Sequence, residues 1–183
     1  MIYPIYLYGH PVLRKRAKEI DTGKIDPKPL INDMFQTMYN AQGAGLAGPQ
    51  IGKPLRLYVI DANPMAEAHP ELEGFKRAFI NPEIIEHSEE AMGFEEGCLS
   101  IPGIFEQVKR YTTLTMRYLD ENLQEKTEHF VGIQAVVVQH EYDHLNGILF
   151  TDKIAPLRKR LLKSRLAAIA KGKTKTEYKT VIR

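Results

Sequence analysis

Apolar positions along the chain follow two rhythms, one of helices and one of strands. After an irregular start, Leu30, Ile31, Met34, Phe35 and Met38 recur at spacings of three and four, the period of a helix with one buried face. Asp26 can cap this helix, Pro27 fits its first turn, and the glycines at 43 and 45 end it. Leu55 to Asp61, rich in Leu, Val and Ile, reads as a strand, as does Ala78 to Ile80. Lys109 to Asp120 reads as a further strand, with alternation at Leu114, Met116 and Tyr118. From Gly132 onward Ile133, Val136, Val137, His140 and His144 share one helical stripe, which Asn146-Gly147 can cap in a left-handed conformation. A last helix is predicted from Pro156, with Leu157, Leu161, Leu162 and Leu166 on one face, before a polar end from Lys171 to Arg183. Strands grouped between helices predict an α+β fold: mixed or antiparallel sheets packed around the helix that bears His140 to His144, with a C-terminal helix.

Composition narrows the class. With 43% hydrophobic and 26% charged residues over 183 positions, general disorder is excluded and one domain is expected. A single cysteine rules out an internal disulfide. Apolar runs such as Ala135 to Val138 and Gly147 to Phe150 fall far short of the roughly 20 residues of a membrane helix. Met1-Ile2-Tyr3-Pro4 lacks the basic and apolar regions of a secretory signal, which with the lone thiol favours a reducing cytoplasm. The formal charge of +2 hides a division. Residues 1–152 hold 14 Lys and Arg against 22 Asp and Glu, while residues 153–183 hold 11 against one. An acidic body therefore carries a basic tail. No repeat or linker separates them, so 1–155 and 156–183 read as body and helical extension of the same domain.

Three segments carry candidate chemistry. His140-Glu141-Tyr142-Asp143-His144 is an H-E-x-x-H; on a helix the two imidazoles lie one above the other and can share a metal ion, with Glu141 beside it as a general base. Such a site needs a third protein ligand and an open fourth position. Cys98, between Gly97 and Leu99-Ser100, offers a thiolate whose softness suits a His/His/Cys set for zinc or ferrous iron. Gly43 to Gln50 is a run of small residues that lets backbone approach a substrate, ending in the amide donor Gln50. It lacks the G-K-[ST] ending of a phosphate loop. Each segment also has a plain reading: histidines hydrogen-bonded in a core, a small buried thiol, an ordinary turn.

Taken in order, Gly43 to Gln50, Glu96 to Ser100 and Gln139 to His144 resemble the peptide deformylase signature, G-x-G-x-A-A-x-Q, E-G-C-L-S and Q-H-E-x-D-H. His10 to Arg14, Ile80 to Pro82, Ile101 to Gly103 and Leu145 to Gly147 are similar as well, so the likeness covers roughly positions 1–155. One departure is visible. Gly48 stands where the family has a second alanine, and the missing methyl is expected to loosen the loop.

The resemblance implies a catalytic body that hydrolyses the formyl group from the formyl-methionine of nascent polypeptides. It implies that Cys98, His140 and His144 hold one divalent ion, Fe2+ first, with Zn2+, Ni2+ or Co2+ as other candidates. Glu141 would be the general acid and base, and the Gln50 amide and Leu99 backbone N–H would hold the developing oxyanion. Gly45 and Gly97 would meet the extended substrate, and Leu46, Ile133, Val137 and His140 would surround a pocket for the methionine side chain. Asp143 is expected either to orient an imidazole, to bridge Arg110, or to remain a solvated acid. A ribosome contact through Arg158, Lys159, Arg160, Lys163 and Arg165 is the further partner expected, with no membrane and no DNA.

Two other readings fit the sequence poorly. A zinc peptidase would need its third ligand downstream of His144, where there is no histidine and the acids are Asp152 and Glu177. A zinc-stabilised RNA-binding module would need four ligands with one cysteine available.

Overall fold

The computed structural model describes residues 1–182. In chain order the elements are β1 (Ile5–Tyr6), α1 (Lys28–Asn40), β2 (Gly45–Ala47), β3 (Leu57–Asp61), β4 (Lys76–His87) and β5 (Ala91–Cys98). They continue with β6 (Ile101–Tyr111), β7 (Thr113–Leu119), β8 (Glu125–Val131), α2 (Ile133–Leu145), α3 (Pro156–Ala170) and β9 (Thr180–Val181). Five strands form an antiparallel sheet in the order β2-β3-β4-β7-β8; β5 and β6 form a separate hairpin, and β1 pairs with β9 in parallel. Among the described residues this is a mixed α and β fold with antiparallel sheets and three α-helices. Among the described residues no helix is long and apolar enough to cross a membrane.

The apolar run of β3 is explained by burial on both faces. Successive side chains of a strand point to opposite sides. Leu57 and Val59 join the core shared with Ile31, Met34, Phe35 and Met38 of α1, while Tyr58 and Ile60 join the core shared with Ala135, Val138 and Leu145 of α2. The sheet thus separates two hydrophobic clusters, and α2 packs against β2, β3, β6 and β8. A third cluster joins α3 to β6 through Leu162, Leu166, Ile169, Ile101, Ile104 and Val108.

Several expectations shift in detail. At the start of α1, Asp26 accepts the Lys28 N–H at 3.0 Å, and the helix begins one residue later than the Pro27 pattern suggests. The strand predicted over Lys109 to Asp120 divides at Thr112. Its first residues finish β6 in the hairpin and Thr113 opens β7 in the large sheet, because the Thr112 and Thr113 N–H groups bond to Ser88 Oγ at 3.1 and 3.2 Å. Helix α3 buries Leu162, Leu166 and Ile169, whereas Leu157 and Leu161 are 65% and 61% exposed, so the predicted leucine face is rotated. Strands β5 and β8 escape a hydropathy reading because their sequences, AMGFEEGC and EKTEHFV, are largely polar or small.

Candidate active site

Strand β5 ends at Cys98 with an irregularity in register between Glu96 and Cys98, and α2 brings His140 and His144 against it. The three donor atoms lie within 4.8 Å of one another. Cys98 Sγ is 3.4 Å from His144 Nε2. Donors bound to one tetrahedral ion through ordinary Zn–N and Zn–S distances sit about 3.4–3.6 Å apart, so the set fits a divalent metal. Burial pushes His144 well below its ordinary pKa, which leaves a neutral imidazole with a lone pair to offer. Its buried Nδ1 has no hydrogen-bond partner.

Around the ligands lies a buried polar network. Glu96 Oε1 is 2.6 Å from His140 Nδ1, which directs the other ring nitrogen of His140 toward the donor cluster. Arg110 donates to both Glu96 oxygens at 2.7 and 2.8 Å, and its remaining nitrogen reaches Asp143. Burial opposes ionisation of Glu96, but hydrogen bonds from Arg110 and His140 outweigh it and bring its pKa down to about 2. Of the alternatives open for Asp143, the structure selects the Arg110 bridge, and Lys153 lies 3.4 Å away from the same carboxylate. Gln139, the other polar neighbour of the ligands, holds the end of β6: its side chain accepts from Tyr111 N–H at 3.0 Å and donates to Tyr111 C=O at 2.9 Å.

Glu141 is buried, and one of its oxygens has no hydrogen-bond partner. Desolvation raises its pKa to about 7, placing it between base and acid at neutral pH. It lies against Gly45, where any Cβ would collide with the carboxylate. Gln50 is fixed from both ends. Its Oε1 accepts the Ala47 N–H at 2.8 Å, and its Nε2 donates to Ser100 Oγ at 3.1 Å and to Cys98 Sγ at 3.4 Å.

These groups open on a cavity of about 560 Å³ lined by Gly43–Gly45, Gln50, Glu95–Leu99, Val137, His140 and Glu141. Two expected pocket residues are elsewhere. Leu46 is fully buried in the α1 cluster, because alternation along β2 sends Gly45 and Ala47 toward α2 and Leu46 to the opposite face. Ile133 lies two turns before His140, about 10 Å along the helix, and packs in the cluster beneath the sheet. Apolar wall is supplied instead by Met65, Phe94, Val136 and Phe105 together with Val137. Gly48 is also corrected: a Cβ there would sit 2.7 Å from Lys53 O and 2.8 Å from Leu55 O, so the loop is closed down on the glycine rather than loosened.

Sequence reading missed Glu96 as a ligand support and missed the C-terminal residues Lys175 to Tyr178, which line the cavity. The i, i+2 spacing of Glu96 and Cys98 was the available signal for the first. No local pattern marks the second.

A thiolate and two imidazoles beside a buried carboxylate, at the wall of a cleft, define a metal-dependent hydrolase. The model of the family described as polypeptide deformylase matches residues 2–160. A peptide deformylase of Christiangramia forsetii is 52% identical, with 98% of this chain and 95% of that protein covered. Among solved structures, a peptide deformylase from Legionella pneumophila superposes with a TM-score of 0.80 at 38% identity, covering 94% of this chain and 98% of that one. A Plasmodium falciparum peptide deformylase gives a TM-score of 0.82 at 35% identity, over 92% and 95%. This chain belongs to the polypeptide deformylase family, enzymes that remove the formyl group from an N-terminal methionine.

Proposed function

We infer that deformylation is carried by Cys98, His140 and His144 as metal ligands, Glu141 as acid and base, and Gln50 with the Leu99 N–H as oxyanion donors. The observation behind this is the buried Glu141 carboxylate, wedged against Gly45 and raised to about 7, beside the only Cys/His/His cluster among the described residues. A divalent ion held by Cys98, His140 and His144 would supply Lewis acidity and make water a better nucleophile near neutral pH. Glu141 takes a proton as the water oxygen bonds to the formyl carbon, then delivers it to the nitrogen as the C–N bond breaks; the second water proton also passes to the nitrogen, giving formate and an ammonium N-terminus. The Gln50 amide, held by Ala47 and Ser100, exchanges its long contact with Cys98 for the developing oxyanion. Gly45 and Gly97 present backbone to the extended peptide, and Val137 with its apolar neighbours receives the methionine side chain. Helix α2 is then the central support, with the ligands on one face and Asp143 and Gln139 tied to β6.

A thiolate with two imidazoles suits Fe2+, and the same set accepts Zn2+, Ni2+ or Co2+. Such a site belongs in a reducing cytoplasm, where Cys98 stays reduced. Nascent formyl-methionyl chains are the substrate, and α3 is the surface for the ribosome. Of its five basic residues, Arg158 pairs with Glu106, Lys159 approaches Asp152 and Arg165 donates to Gly103 O. The docking face is therefore Leu157, Arg160, Leu161 and Lys163, all exposed.

Formate release from formyl-Met-Ala-Ser by anaerobically purified protein tests the chemistry. Glu141→Ala should lose about 100- to 10,000-fold in kcat, and Cys98→Ser should lose bound metal. Equal turnover by wild type and Glu141→Ala overturns the mechanism. For docking, Arg160→Glu with Lys163→Glu should weaken ribosome co-sedimentation at low salt; unchanged sedimentation removes that surface.

A further inference from the structure

The short turn that joins Cys98 to Ile101 consists of Leu99 and Ser100, and its polar groups are fastened from outside the hairpin. The Ser100 carbonyl accepts from Tyr8 N–H at 2.8 Å, and Ser100 Oγ accepts from Gln50 Nε2 at 3.1 Å. The Leu99 carbonyl accepts from the Tyr178 hydroxyl at 2.7 Å, across 79 positions of sequence. On its other side the Leu99 side chain covers Gly43, where an added Cβ would stand 2.6 Å from Leu99 Cδ1.

Tyr178 is held in turn by the parallel pair β1 and β9. Ile5 N–H donates to Lys179 O at 2.8 Å and Leu7 N–H to Val181 O at 2.9 Å, bonds that follow Tyr178 directly. One short segment, Ile5 to Tyr8, therefore grips both the tail and the turn. The Tyr178 ring packs on the α1 cluster, and residues 175–178 form part of the cavity wall.

We propose that Tyr178 is a positioning residue: by holding the Leu99 carbonyl through a tail clamped on β1, it sets the Leu99 peptide and so aims the Leu99 N–H at the oxygen of the formyl group. The proposal rests on the reading of Leu99 N–H as an oxyanion donor. Only two soft torsions connect that N–H to the carbonyl that Tyr178 grips, so the hydroxyl restricts the donor's direction. Burial, with a smaller push from Cys98, moves the Tyr178 hydroxyl up to about 12, so it stays a donor at neutral pH.

Tyr178→Phe keeps the ring and the wall while deleting the hydrogen bond. Its kcat for formyl-Met-Ala-Ser should fall roughly three- to tenfold, the scale of one neutral hydrogen bond, with KM within about twofold. Independently of turnover, the Leu99 amide in uniformly 15N-labelled, zinc-loaded protein should exchange with solvent faster than in wild type, while the amides of Ile104 to Val108 keep their rates. Gln50→Ala is the reference. If Gln50→Ala lowers kcat and Tyr178→Phe changes neither kcat nor Leu99 exchange, the positioning role is wrong and the oxyanion reading stands. If neither variant lowers kcat, the oxyanion reading fails and takes this proposal with it. A rise in KM alone would make Tyr178 a wall residue and overturn the proposal.

Discussion

Glu96 Oε1 lies 2.6 Å from His140 Nδ1 while both oxygens of the same carboxylate are gripped by Arg110, which ties the proposed metal ligand His140 on α2 to a cation on β6. The ring of His140 is thus oriented by a group outside the ligand set. Such partners fix the tautomer and the direction of the free nitrogen.

Glu96→Gln keeps the shape and removes the charge. Metal affinity should fall about 10- to 100-fold, measured by competition with a chelator. Stability should fall by about 1–3 kcal/mol in urea unfolding, because Arg110 keeps Asp143 as its one charged neighbour in a buried setting. Unchanged affinity would show that His140 is oriented by helix packing alone.

Glu141→Gln should separate chemistry from folding. Turnover should fall by about 100- to 10,000-fold, while thermal stability stays level or rises, since the native carboxylate is buried with one oxygen unpaired. A variant that loses stability along with activity would point to a structural hydrogen bond instead.

Gly48→Ala restores the residue usual in the family, and in this chain it should be costly. The carbonyls of Lys53 and Leu55 stand 2.7 and 2.8 Å from the added carbon, and both belong to backbone that must move. A loss of about 1–3 kcal/mol is expected from calorimetry or denaturant curves. Increased stability would mean that the 48–57 loop opens at little cost.

Asp152 joins the acidic body to the basic extension. Burial opposes its ionisation, but Arg14, the Leu149 N–H and Lys159 outweigh that effect and hold it below its ordinary 3.8. A carboxyl group lowered by folding stabilises the native state above its unfolded pKa, and the contribution is lost as pH falls through the folded value. Asp152→Asn should therefore unfold at lower temperature than wild type at pH 7, and the gap should shrink as pH is lowered beyond 3.8. A gap independent of pH would assign the effect to packing rather than to the charge of Asp152. Arg14 is 45% exposed, so the difference is modest.

Local pattern settled much of this protein. The period of α1, the pairing of His140 with His144 one turn apart, the Asn146-Gly147 stop and the start of α3 at Pro156 all depend on residues within a few positions of one another, and hydropathy records such spacing. The charge division is equally plain in the sequence. Sequence also nominated Cys98, yet 42 positions separate it from His140, and only the packing of β5 against α2 turns that nomination into a three-donor cluster. The facing of side chains was decided in three dimensions. Leu46 turns to α1 because β2 alternates, Ile133 is covered where α2 enters the sheet, and Leu157 and Leu161 are left in solvent because α3 meets β6 through Leu162, Leu166 and Ile169. The hold of Tyr178 on Leu99 likewise follows from pairing between the first and last strands, a contact whose partners lie at opposite ends of the chain and leave no local trace. Periodicity reports which residues want burial; the partner that buries them is chosen by the rest of the fold.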